Sequence, residues 1–144
     1  MTGTWVAVGP LRAAVVGATM PLVSDAVVTG ADRAFLGLLA WPNVLACREL
    51  LGAAANGLST QEVVRHSVVR EAIHTGLARY NGRSLGSSTR IVRALLLDEP
   101  PSAEANEITD KGYVNQSAVL SRRSADVDRL YAAMPDEQVL IVAS

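Results

Sequence analysis

The feature that most limits how this chain can fold is a pair of apolar runs separated by a short turn. Ser24-Asp-Ala-Val-Val-Thr29 is rich in β-branched residues, Gly30-Ala-Asp-Arg33 is turn-forming, and Phe35-Leu-Gly-Leu-Leu-Ala-Trp41 returns. β-Branched side chains fit a pleated surface, and two such runs around a glycine-containing turn predict an antiparallel hairpin. Both runs are apolar enough to lie centrally in a sheet.

The rest of the chain supplies helices around that hairpin. Thr4-Trp-Val-Ala-Val8 reads as a strand ended by Gly9-Pro10. Pro10 suits the first turn of a short helix through Leu11, Val15 and Val16, because its missing N–H is not needed there, and Gly17 is a candidate stop. After Trp41-Pro42, Asn43 caps a helix through Leu51, and Gly52 to Gly57 forms a small-residue loop. Ser59-Thr-Gln-Glu62 has capping-box spacing. The helix it opens places Val64, Val68, Ala72 or Ile73, Leu77 and Tyr80 at three-to-four spacing and ends at Asn81-Gly82. Arg90-Ile-Val-Arg-Ala-Leu-Leu-Leu97 predicts a third strand, closed by Asp98-Glu-Pro-Pro101. Asn115 or Ser117 caps a final helix that points Leu120, Val127, Leu130 and Tyr131 one way, and Val139-Leu-Ile-Val142 is an edge strand. Hairpin pairing with irregularly interleaved helices predicts an α+β fold: a small mixed or antiparallel sheet of about three strands, packed with helices.

Composition narrows the functional classes. A length of 144 residues suits one domain, and 49% hydrophobic residues with a net charge of −1 suit a globular chain. Aromatics are only 4%, so the core is built from Ala, Val, Leu and Ile. No basic patch interleaves with aromatics, which argues against nucleic acid as a partner. The single Cys47 excludes an internal disulfide framework, fits a reducing cytoplasm and reads as a small buried hydrophobe. The apolar stretch Ala13 to Met20 lacks the cationic segment that precedes a signal core, and no apolar run nears the ~20 residues of a membrane helix. A soluble cytoplasmic domain, with no membrane partner, is expected.

Chemistry is sparse. His66 and His74 lie two helical turns apart, too far to share an ion, so no metal site is expected. There is no Gly-x-Ser-x-Gly turn, phosphate-binding loop or dinucleotide fingerprint. Asp98, Glu99, Glu104, Glu107 and Asp110 fall among prolines, serine and asparagine, the composition of a solvated loop. Lys111 stands apart. It is the only lysine, every other cationic chain being arginine, and it sits beside Gly112 in the polar segment Asn106 to Ser117. A compact ammonium on a loop suits neutralising a carboxylate and a phosphate while negative charge redistributes.

Glu107-Ile-Thr-Asp-Lys-Gly-Tyr-Val-Asn-Gln116, followed by Ala118-Val-Leu120 and Arg122-Arg123, resembles the end of feruloyl-CoA synthetases, which are AMP-forming aryl/acyl-CoA ligases. Gly3 to Arg12, Asp25 to Arg33, Trp41-Pro-Asn43, Ser87 to Ile91 and Leu95 to Ser102 are similar to the same family in the same order. The resemblance implies that the whole chain, 1–144, is the single mobile C-terminal domain of such a ligase, inactive without a large N-terminal adenylate-forming domain. It implies Lys111 as the catalytic residue of acyl-adenylate formation. It also implies that the post-hinge segment Gly3, Thr4, Trp5 and Val6 faces coenzyme A during thioester formation. ATP, Mg2+, coenzyme A and a hydroxycinnamate-type acid are the ligands of the complete enzyme, none of them bound by this chain alone. Two positions depart from the wider superfamily. Its lysine usually follows the threonine by four residues, a place that falls on Tyr113 when counted from Thr109, and Trp5 stands where many relatives carry arginine. A free-standing interaction domain, docking through Ala13–Val23 or Val139–Val142, and a truncated fragment without function are the alternatives.

Overall fold

The computed structural model describes residues 8–30, 33–83 and 89–143. In chain order the elements are α1 (Val8–Thr19), β1 (Val23–Thr29), β2 (Leu36–Pro42), α2 (Val44–Leu51), a 3-10 turn (Gly52–Ala55), α3 (Thr60–Arg65), α4 (Ser67–Arg83), β3 (Ile91–Leu96), α5 (Gln116–Arg122), α6 (Ser124–Leu130) and β4 (Val139–Ile141). The expected hairpin is present: β1 pairs antiparallel with β2, Val27 opposite Leu39 and Thr29 opposite Gly37. The third strand pairs parallel to β2, and the tail adds β4 antiparallel to β3, giving a mixed sheet in the order β1-β2-β3-β4. A parallel pair needs a long crossover, and α2, α3 and α4 provide it. The fold is α+β as expected, with four strands rather than about three.

Strand alternation divides the core between the two faces of this sheet. Ala26, Val28, Leu38, Ala40, Ala94 and Leu140 pack with Val15 of α1, Cys47 of α2, Val63 of α3 and Ile73 and Leu77 of α4. Val27, Leu39, Trp41, Leu95 and Val139 pack on the other face with Val119 of α5 and Leu130 of α6, joined by Leu120, Val127 and Tyr131. The two stretches considered as docking surfaces contribute to this core: Val15 is fully buried, and Val139 and Leu140 nearly so.

Both sheet edges are closed by side chains. On β1, the Gln116 amide donates to the Val28 carbonyl and accepts from the Val28 N–H, each at 3.1 Å. Beside β4, Arg70 donates to the carbonyls of Gln138 and Glu137, just before the strand, at 2.9 and 2.7 Å, and one turn along α4 His74 Nε2 lies 3.0 Å from the Ile141 carbonyl of the strand. Filling exposed strand groups in this way removes a template for pairing with another chain.

Helix boundaries differ from expectation in three places. The first helix runs past Gly17 to Thr19, and the break comes at Met20-Pro21, a cis peptide. The Ser59–Glu62 capping box forms in full, but the helix it opens stops at His66, and α4 starts again at Ser67. That break rotates the register, so Val69 is buried where Val68 was expected and Val68 is exposed. The last helix is likewise divided at Arg123. The expected strand at Thr4–Val8 lies almost wholly outside the described residues, and Val8 itself begins α1.

Gly76 fixes the approach of α4 to α1. A Cβ there would meet the Ala18 carbonyl oxygen at 2.8 Å and Thr19 Cγ2 at 3.0 Å, so two backbones would have to separate. Gly76→Ala is expected to destabilise the chain by about 1–3 kcal/mol despite better helix propensity. A urea midpoint at or above the wild-type value would contradict this packing.

Candidate functional site

Lys111 sits at the tip of a small hairpin that rises between β3 and α5. Ile108 and Val114 form an antiparallel bridge, and the Thr109 N–H donates to the Tyr113 carbonyl at 2.7 Å. The Gly112 N–H returns to the Thr109 carbonyl at 2.8 Å, and the Tyr113 N–H to Thr109 Oγ1 at 3.2 Å. Asp110, Lys111 and Gly112 are therefore a three-residue loop. Gly112 holds φ +85°, the left-handed conformation that such a loop needs at its last position. Thr109 ties the loop twice, once by each oxygen. Lys111 is exposed, and so is Tyr113 at 70%. Among the described residues no carboxylate pairs with the Lys111 ammonium.

The base of the hairpin is buried and charged. Glu107, expected in a solvated loop with the other acids, is instead fully buried. Arg123 grips its carboxylate with two donors, Nε to Oε2 at 2.8 Å and Nη2 to Oε1 at 3.1 Å. Arg122 Nη1 and the Ser102 N–H add bonds to Oε1 at 2.9 and 2.8 Å. The Arg123 hydrogen bonds are the largest influence on the Glu107 carboxyl and draw its pKa from the ordinary 4.5 to about 2. Burial acts the other way and is outweighed once the Ser102 N–H and the two guanidinium charges are added. Arg123 also donates to the Pro100 carbonyl at 3.1 Å and lies over the Trp41 ring, while Trp41 Nε1 donates to the Glu99 carbonyl at 2.9 Å. The ion pair thus joins the end of β2, the segment after β3, the hairpin base and the end of α5.

Sequence reasoning placed Glu107 with its acidic neighbours because the surrounding residues are polar. The neighbours do behave as expected: Glu104 and Asp110 are exposed, Glu99 pairs with Arg122 at the surface, and Asp98 lies 3.8 Å from Arg65. Glu107 differs because Asn106, at φ 63°, turns the chain inward just before it. The signal in the sequence is the Arg122-Arg123 doublet, two adjacent cations about two turns from the capped helix start. His66 accepts from the Val68 N–H within its own turn, and His74 meets the Ile141 carbonyl of β4 across the fold, so both histidines serve backbone groups. Cys47 is buried, and burial pushes its thiol up to about 11, far from nucleophilic. No group of His, Cys, Asp and Glu among the described residues is arranged to hold a metal ion, and no helix there is long and apolar enough to cross a membrane. Gly3, Thr4, Trp5 and Val6 lie outside the described residues. An open groove of about 390 Å3 lies between α1 and the end of α4, lined by Ala14, Gly17, Ala18, Tyr80 and Arg83, and includes neither Lys111 nor the ion pair.

This arrangement offers one exposed ammonium on a braced loop, with Asp110 and Tyr113 exposed beside it. The sequence matches the family model described as the AMP-binding enzyme C-terminal domain over residues 1–135. The chain belongs to that family. As an AMP-binding enzyme C-terminal domain it also has structural relatives among adenylation domains. The A domain of a carboxylic acid reductase from Segniliparus rugosus, in complex with AMP and a co-purified carboxylic acid, superposes with TM-score 0.66 at 21% identity over 90% of this chain. The A-PCP didomain of that reductase, with AMP, gives 0.64 at 22% over 88%, and the adenylation domain of a carboxylate reductase from Mycobacterium chelonae gives 0.66 at 21% over 90%. At this identity the likeness is one of fold. The AMP-binding C-terminal domain spans only 16% to 18% of those chains. No curated protein matches the sequence.

Proposed function

We propose that this domain is the mobile C-terminal part of an AMP-forming aryl-CoA ligase of the feruloyl-CoA synthetase kind, working in the cytoplasm over an N-terminal adenylate-forming domain. The single observation that carries the reading is Lys111 presented at the tip of a hydrogen-bonded three-residue loop with its ammonium exposed. In the adenylation pose Lys111 enters the partner domain and neutralises charge between the acid carboxylate and the α-phosphate of ATP as diphosphate leaves. In the second pose Gly3, Thr4, Trp5 and Val6 line the approach of coenzyme A, and the thiol displaces AMP. The sum is ATP + hydroxycinnamate + CoA → aroyl-CoA + AMP + diphosphate. ATP, Mg2+ and the acid are held by the other domain. This chain contributes the ammonium, the post-hinge backbone and the motion between poses.

The purified 144-residue chain, given ATP, Mg2+ and ferulate, is expected to show no ATP–diphosphate exchange. Placed in a feruloyl-CoA synthetase instead of that enzyme's own C-terminal domain, it is expected to restore feruloyl-CoA formation. Exchange by the isolated chain, or a chimera that adenylates ferulate but makes no thioester, would overturn the ligase reading. The likeness to reductase adenylation domains favours a second reading, in which the adenylate goes on to reduction. Analysis of the complete enzyme's product separates the two, a CoA thioester in one case and an aldehyde in the other.

A further inference from the structure

We propose that Glu107 and Arg123 are positioning residues for Lys111: their buried ion pair fixes both arms of the hairpin and so the point in space at which the ammonium is presented. The role assigned to that ammonium rests on the functional reading above.

The geometry closes a ring. Glu107 begins the first arm, with Ile108 next to it. The second arm ends at Asn115, whose N–H donates to the Glu107 carbonyl at 2.8 Å and whose side chain caps α5. Helix α5 then carries the chain seven residues on to Arg123, which returns to the Glu107 carboxylate through two bonds. Backbone, helix and ion pair together leave the hairpin no hinge at its base. Gln116, the first residue of α5, bonds both polar groups of Val28, so the ring is also fastened to the edge of the sheet. The Glu107 N–H donates to the Ser102 carbonyl at 2.9 Å while the Ser102 N–H donates to the Glu107 carboxylate, which holds the incoming strand from the other side.

An apolar contact at this place would give comparable stability, since a buried ion pair gains little over well-packed hydrophobes. It would not give the same precision. A planar guanidinium on a carboxylate allows one orientation, whereas methyl groups slide. Precision matters to a group that acts on a reacting phosphate, because a displacement of about 1 Å can cost on the order of 100-fold in rate.

Amide hydrogen exchange on the 144-residue chain tests the coupling without any chemistry. Thr109 and Asn115 report on the hairpin, and Leu97, whose N–H donates to the Ala40 carbonyl at 2.8 Å, reports on the sheet. Glu107→Gln, which preserves shape and an acceptor, is expected to lower protection at Thr109 and Asn115 by about tenfold or more while Leu97 stays within about twofold. Arg123→Lys, which loses the fork, is expected to do the same. In the complete enzyme Glu107→Gln is expected to reduce kcat for ATP–diphosphate exchange by about tenfold or more, with KM for ATP and thioester formation from supplied acyl-adenylate unchanged. Unchanged protection at Thr109 and Asn115, or equal loss at Leu97, would overturn the positioning role even if Lys111 proves essential. Selective loss at the hairpin with a catalytically silent Lys111→Ala would support the coupling and sink the role given to the ammonium.

Discussion

Lys111→Ala in the complete enzyme is expected to lower ATP–diphosphate exchange by roughly 100- to 1,000-fold and to leave thioester formation from supplied acyl-adenylate within a few-fold of wild type. The size of the effect follows from what the residue offers. Its ammonium is a full charge, it is exposed, and no carboxylate among the described residues competes for it. Such a group contributes only where negative charge gathers on transfer, and removing one fixed donor from that place costs about 3–4 kcal/mol of barrier. The asymmetry follows from the two proposed poses, with Lys111 engaged in one and withdrawn in the other. Lys111→Arg is expected to recover little, because a planar, delocalised fork does not reproduce a compact point charge. The neighbouring Tyr113, also exposed, stands four residues after Thr109. Tyr113→Phe, compared in the same assay, separates the two positions. A large loss with Tyr113→Phe and none with Lys111→Ala would move the catalytic role to the phenol, and equal loss of both half-reactions with Lys111→Ala would remove it altogether.

The sequence made the scaffold readable and the brace beneath the site invisible, and both outcomes have physical causes. β1, β2 and β3 were legible because each is a continuous apolar run between turn residues. The Ser59–Glu62 and Asn43 caps were legible because capping is local chemistry, decided within four residues. The division at His66 was not, since helical periodicity continues across it and only the packing of Val63 and Val69 on the sheet shows the shift of register. Parallel pairing of β3 was undetermined for a similar reason: a strand's own residues do not encode which neighbour it meets. The same limit applies to Glu107. Its immediate neighbours are polar, and its partner Arg123 lies sixteen residues away across a hairpin and a helix. What was legible at the site was Lys111, a lone lysine against a background of arginine, together with the glycine that closes its loop. The segment from Gly3 to Val6 rests on resemblance and lies outside the described residues.

The buried Glu107 is expected to make this chain acid-labile in a defined window. Its carboxyl titrates near 4.5 in an unfolded chain and near 2 in the folded one, held there first by the Arg123 hydrogen bonds. A carboxyl with a depressed folded pKa stabilises the native state fully above the unfolded value and loses that contribution as pH falls through the folded value. The difference corresponds to on the order of 3 kcal/mol, lost progressively between about pH 5 and pH 2. Glu62 and Asp136 are also shifted down, by the Ser59 cap and by Arg129, and add to acid sensitivity in the wild type. They remain in a Glu107 variant, so subtracting the variant's stability curve from the wild-type curve isolates the buried group. Glu99, which shares Arg122 and Arg123 with Glu107, is largely exposed and also remains. At pH 7, Glu107→Ala leaves the Arg123 guanidinium buried and the Ser102 N–H without its acceptor, so a loss of about 3–5 kcal/mol is expected. Glu107→Gln keeps an acceptor and should lose less, which provides a folded variant if the alanine chain does not fold. Urea unfolding of wild type and Glu107→Gln from pH 7 to pH 2.5 should give a stability gap that is constant down to about pH 5 and closes below it by about 1.4 kcal/mol per pH unit at most. Parallel curves through that window would mean that the Glu107 carboxyl titrates alike in the folded and unfolded chains, and the ion pair under the Lys111 hairpin would have to be abandoned.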